Sequence, residues 1–102
     1  MKNLTIYNLQ TNRGGVASNQ IVIKDTEKRK VSFYSYNILI ASYDEVLKKI
    51  TLFDKWDYSN TTLRYLKQFM EHFTTINYIS KQSLNNRLEN INYPNITKSI
   101  IW

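Results

Sequence analysis

The chain has 102 residues, a formal charge of +6 from 14 Lys and Arg against 8 Asp and Glu, and 42% hydrophobic and 14% aromatic residues. That is one domain's worth of chain with apolar material for a core, and the composition of a disordered protein is excluded. Without Cys and with a single His, zinc sites of the Cys/His type, iron–sulfur ligation, thiol nucleophiles and structural disulfides are excluded too.

Lys2 to Leu9 alternates, with Leu4, Ile6 and Asn8 on one face and Thr5, Tyr7 and Leu9 on the other, which predicts a strand. Asn12-Arg13-Gly14-Gly15 ends it, because glycine takes positive φ at little cost. Ser18 to Lys24 reads as a second strand around Ile21, Val22 and Ile23. Asp25-Thr26-Glu27-Lys28 is a polar connection into a third, Lys30 to Tyr36, with Val31, Phe33 and Ser35 on one face. The run Ile38-Leu39-Ile40 within Asn37 to Tyr43 predicts a fourth strand, covered on both faces. Asp44 to Lys49 is too short for a stable helix and leads as a connection into Ile50-Thr51-Leu52-Phe53.

After Trp56 the period changes. Leu63, Leu66, Phe69, Met70 and Phe73 form one helical stripe, with Ser59 placed to cap the first turn and Asp57 adding favourable charge there. A second, weaker helix is predicted from Lys81 to about Asn90, with Ser80 as cap, Leu84, Leu88 and Ile91 as its apolar stripe, and Pro94 closing it. The tail, Ile96 to Trp102, reads either as an edge strand or as apolar cover over the helices. The expected fold is a single α+β domain over residues 1–102: an N-terminal antiparallel sheet of about four to five strands packed by one or two C-terminal helices.

The segment Trp56-Asp57-Tyr58-Ser59-Asn60-Thr61-Thr62-Leu63-Arg64-Tyr65, followed by Phe69, resembles a family of small uncharacterised phage and mobile-element proteins of low-GC bacteria. Those proteins share a W-D-Y-S-x-T-T-x-[K/R]-[H/Y]-x-x-x-F signature. Its preceding strand pair is similar to Ser35-Tyr36-Asn37-Ile38-Leu39-Ile40-Ala41 and Lys49-Ile50-Thr51-Leu52. The resemblance implies a phage-like origin and an α+β fold and supplies no mechanism.

Charge is spread along the chain, and the positive balance excludes mimicry of a phosphate backbone. The longest apolar run, Ile38 to Ala41, is far short of the roughly 20 residues of a membrane span. Asn3, Thr5, Asn8 and Gln10 interrupt any signal-like stretch, so a cytoplasmic protein of the bacterial host cell, without membrane contact, is expected. His72 has no nucleophile partner, and no phosphate loop or metal-ligand spacing occurs, so neither enzyme activity nor a cofactor nor a metal is expected.

The leading expectation is a small phage-encoded inhibitor that binds a host protein or ribonucleoprotein complex stoichiometrically, in the manner of an anti-CRISPR. Its candidate contacts are Trp56, Tyr58, Arg64 and Lys67, although Trp56 and Tyr58 read equally well as core aromatics. The alternative is a nucleic-acid-binding accessory module using Lys24, Lys28, Arg29, Lys30, Lys48, Lys49 and Lys55, interleaved with Tyr34, Tyr36 and Tyr43. A homo-oligomer built through the sheet edge or through the terminal Ile100-Ile101-Trp102 is a third expectation.

Overall fold

A computed structural model of the chain describes residues 4–74, 81–89 and 96–98. The antiparallel strands are β1 (Leu4–Gln10), β2 (Val16–Asp25), β3 (Lys30–Ser35), β4 (Ile38–Asp44) and β5 (Lys49–Leu52). They are followed by the helices α1 (Asn60–Phe73) and α2 (Lys81–Glu89) and by a sixth strand, β6 (Ile96–Lys98). The strands lie in sequence order, a meander whose last strand pairs parallel to β5 with Ile96 opposite Ile50. The tail therefore supplies an edge strand. Ser80, Ile91, Pro94 and residues 99–102, which entered the reading of the second helix and the tail, lie outside the described residues, as does the side chain of Leu88.

Local chemistry sets each turn. Between β1 and β2, Gly14 takes φ +83 and its N–H donates to the Thr11 carbonyl at 2.9 Å. The β2–β3 and β4–β5 connections are built alike. In each, an Asp at the end of the strand accepts two backbone N–H bonds through Oδ1, Asp25 from Glu27 and Lys28 and Asp44 from Val46 and Leu47. Each connection closes on a basic residue in the left-handed region, Arg29 and Lys48, both at φ 56. This is the side-chain turn chemistry that aspartate favours. The Leu47 N–H, at 3.0 Å, does most to hold the Asp44 carboxyl below the usual aspartate range. Desolvation opposes it, while the Val46 N–H and the charges of Lys30 and Arg29 reinforce it. Because the folded-state pKa is depressed, the stabilisation is present above the unfolded-state pKa and is lost as pH falls through the folded value. Acid titration monitored by circular dichroism should therefore show a smaller loss of stability at low pH for Asp44→Asn than for the parent chain.

α1 lies across the face of the sheet that carries Val22, Val31, Phe33, Tyr43, Ile50 and Leu52. Its buried residues Thr62, Tyr65, Leu66, Phe69 and Met70 recur at helical spacing. Phe69 stacks on Phe33 with ring centroids 5.6 Å apart, and Phe73 reaches Tyr7 of β1 at 5.4 Å. Gln68 extends β1 as a strand residue would: the Gln10 N–H donates to its Oε1 at 2.8 Å and its Nε2 donates to the Gln10 carbonyl at 2.9 Å. Leu84 of α2 and Ile96 of β6 join the same core.

The expectation that β4 is covered on both faces is corrected. Register shifts between Phe33 and Tyr34, so that Phe33 faces Ala41 and Tyr34 faces Leu39, with Ile40 as the extra residue. That bulge buries Ile40 and Ala41 consecutively in the core and leaves Leu39 half-buried on the far face. On that far face Ile6 is exposed beside Ile23, and β1 contributes its buried residue, Leu9, to the other.

Candidate functional site

The segment that begins at Trp56 turns the chain from β5 into α1. Trp56 is 2% exposed and packs in the core, its backbone N–H donating to the Phe53 carbonyl at 3.0 Å. It therefore offers a partner no surface, and its place among the candidate contacts is withdrawn; the indole is held by the same core that α1 closes. Tyr58, two residues on, is 49% exposed. Ser59 is the N-cap, with extended backbone and its Oγ accepting the Thr62 N–H at 3.1 Å. The Thr62 hydroxyl in turn meets Ser59 Oγ at 3.0 Å and Ser35 Oγ at 3.2 Å. This buried chain of hydroxyls joins the start of the helix to the end of β3, and every member has a partner. Ser59→Ala should lower stability by about 1 kcal/mol, since the cap bond to the first turn is lost, and urea denaturation will show it.

Beside this junction lies a cleft of about 420 Å³, lined by the start of β2, by Tyr36 and by Thr61, Arg64 and Tyr65 of α1. Arg64 is exposed and lays its guanidinium 5.0 Å from the centre of the Tyr65 ring. Tyr36 and Asn37 form the two-residue turn between β3 and β4, with φ 51 and 66, the pattern of a type I′ hairpin. Asparagine adopts this conformation readily, whereas a bulky aromatic does so at a cost in backbone strain. The Tyr36 N–H is fixed by the Asn19 carbonyl at 2.8 Å, and its side chain is half exposed at the cleft. Gln20, opposite Ser35 in the β2–β3 register, is 2% exposed, and its Oε1 has no hydrogen-bond partner. Tyr36 is expected from the sequence only as a stacking tyrosine of the nucleic-acid alternative, and Gln20 is not among the expected contacts. Gln20 reads there as a polar strand residue, and only the cross-strand register turns it inward.

Tyr58 and Arg64 thus stand at the end of the molecule that holds the cleft, each close in sequence to the Ser59–Thr62 bond. Lys67 is exposed one helical turn beyond Arg64, on the same polar side of α1. The basic residues of the alternative reading divide differently. Lys24, Lys28, Arg29, Lys30, Lys48 and Lys49 gather at the opposite end of the sheet, where the two Asp-capped turns meet through the Glu45 N–H and the Arg29 carbonyl at 2.9 Å. Asp25, Glu27, Asp44 and Glu45 are interspersed among them, and Lys24 lies 4.0 Å from Glu45. Lys55 does not join them: it follows β5 at the other end, beside Ile38 and Phe53. His72 sits near the C-terminal end of α1, lining hollows with Gln68 on one side and with Arg29 and Lys48 on the other. Among the described residues, no group of three or more His, Asp or Glu is placed to hold a metal ion, and no helix is long and apolar enough to cross a membrane.

Residues 3–86 match the model of a family of unknown function, DUF8033. The chain belongs to DUF8033. The matched span takes in the five antiparallel strands, α1 and every residue of the cleft, and it stops inside α2, before β6. No curated protein and no solved structure matches the chain.

Proposed function

We propose that this DUF8033 protein acts by stoichiometric binding to a protein partner, as a phage-encoded inhibitor of a host factor of the counter-defence, anti-CRISPR-like kind. The observation that carries the binding reading is the end of the molecule around the cleft. There the exposed Tyr36 and Arg64 line a hollow, and the exposed Tyr58 directly precedes the cap of the same helix, whose first turn is tied to β3 by hydroxyl bonds. Aromatic and arginine side chains on a rigid frame are the usual anchors of a protein interface. The phage origin rests on the resemblance of the Trp56 to Phe69 signature, and the inhibitory role follows from that origin together with a size at which surface is the main resource.

The second reading, a nucleic-acid-binding accessory module, is favoured by the gathering of six basic residues on two adjoining turns at the opposite end. The four carboxylates among them oppose it. Affinity capture from a low-GC bacterial lysate, with and without nuclease, separates the two. Inhibitor binding predicts one host protein retained in near-equal amount after nuclease and lost with Arg64→Glu or Tyr58→Ala. Loss of everything bound on nuclease treatment, with steep weakening by salt, would replace it by the nucleic-acid module.

A further inference from the structure

A buried amide oxygen without a partner is uncommon, because removing it from water costs free energy that only a hydrogen bond restores. Gln20 Oε1 is such an atom, and Gln20 is among the residues that line the cleft. A second departure from the ordinary stands beside it. Tyr36 occupies the left-handed region at φ 51, where an aromatic side chain is unfavourable, and its half-exposed ring lines the same hollow. Two such costs at one place are what an unfilled recognition site leaves behind.

The lining states the chemistry of the missing group. It contains one formal charge, Arg64, and no carboxylate, so it is suited to a single anion. Thr61, on the first turn of α1, lines the same cleft and carries a further hydroxyl donor. Gln20 Oε1 requires an N–H donor from the same ligand. A nucleic-acid strand presents successive phosphates and is held by several cations in a row. Here six of the other basic side chains, Lys24, Lys28, Arg29, Lys30, Lys48 and Lys49, lie at the far end of the sheet, and the cleft lining itself holds no second cation.

We infer that the cleft is the socket for an acidic peptide segment of the partner, an Asp or Glu carboxylate resting on Arg64 and Thr61 while a backbone N–H of that segment donates to Gln20 Oε1. This inference rests on the protein-binding reading above and names the partner's chemistry at that site. It also makes Gln20 a residue kept for binding at a cost in stability.

The test is a chemical-shift titration of the ¹⁵N-labelled full chain with a blocked pentapeptide, acetyl-Ala-Ala-Asp-Ala-Ala-amide, with its Asn analogue and with uridine monophosphate. The Asp peptide should shift the Gln20 side-chain amide and the Tyr36, Thr61 and Arg64 resonances. It should bind roughly tenfold or more tightly than the Asn peptide, the scale of one charged hydrogen bond. Arg64→Gln, at an exposed position, should remove that preference. Gln20→Met should raise the melting temperature while abolishing binding, whereas a merely structural glutamine would lower the melting temperature when replaced. Equal binding of the two peptides, a silent titration, tighter binding of uridine monophosphate at these residues, or a melting temperature lowered by Gln20→Met would each overturn the inference. Capture of a host protein together with a silent titration would overturn the socket alone and leave stoichiometric binding standing.

Discussion

Alanine at Trp56 should lower the unfolding free energy by about 3–5 kcal/mol, the range for emptying a buried aromatic site. A chain of this length has on the order of 5–15 kcal/mol in total, so the variant will be close to unfolding at physiological temperature. The reason is position: Trp56 is among the largest fully buried side chains, at the corner where β5 hands over to α1. Tyr58→Ala should leave stability within about 0.5 kcal/mol, as for most exposed positions. Urea denaturation followed by far-UV circular dichroism compares the two directly, and a Trp56→Ala protein as stable as the parent would contradict its burial. The pair also keeps the functional test clean, because lost binding in the Tyr58 variant would arise in a folded protein.

The second large effect is expected at the contact between the sheet and α1. Phe33→Ala and Phe69→Ala should each cost about 3–5 kcal/mol, since both rings are completely buried and each would leave a cavity that the sheet cannot collapse into. Their stacked geometry, 5.6 Å between centroids and 21° between planes, adds a term that belongs to the pair. A double-mutant cycle using the milder Phe33→Leu and Phe69→Leu, so that every variant remains folded, should show a coupling of about 0.5–1.5 kcal/mol. Strict additivity would mean that the rings stabilise the fold independently, by burial alone.

The parts of this fold that are legible along the chain depend on neighbours a few residues apart. The two-residue alternation of Lys30 to Ser35, the helical stripe through Leu66, Phe69 and Met70, the Ser59 cap and the turn-forming Asp25, Asp44 and Gly14 all belong to this class, and the structure shows each of them. The site is less legible. Tyr58 and Arg64 were named from the letters around the cap, and both are exposed. Trp56 was named with them and is buried, since a tryptophan beside a helix start has the same letters whether it anchors a partner or the core. Tyr36 reads in the sequence only as one of the tyrosines of the nucleic-acid alternative, and Gln20 carries no signal there. One is an aromatic in a turn conformation that favours glycine or asparagine, and the other is a polar residue in a strand.

From its own letters the chain determines the order of its elements, the antiparallel meander and the amphipathic helix that follows it, because periodicity, caps and turns are short-range properties of the backbone and its nearest side chains. Tertiary structure alone decides which face of each strand α1 covers, the bulge that turns Ile40 inward, the parallel pairing of β6 on β5 and the separation of Lys55 from the other basic residues. It also decides the burial of an unpaired amide at Gln20 beside Arg64. Each of these depends on register between strands or on docking of the helix, where a shift of one residue exchanges the inner and outer faces of a strand.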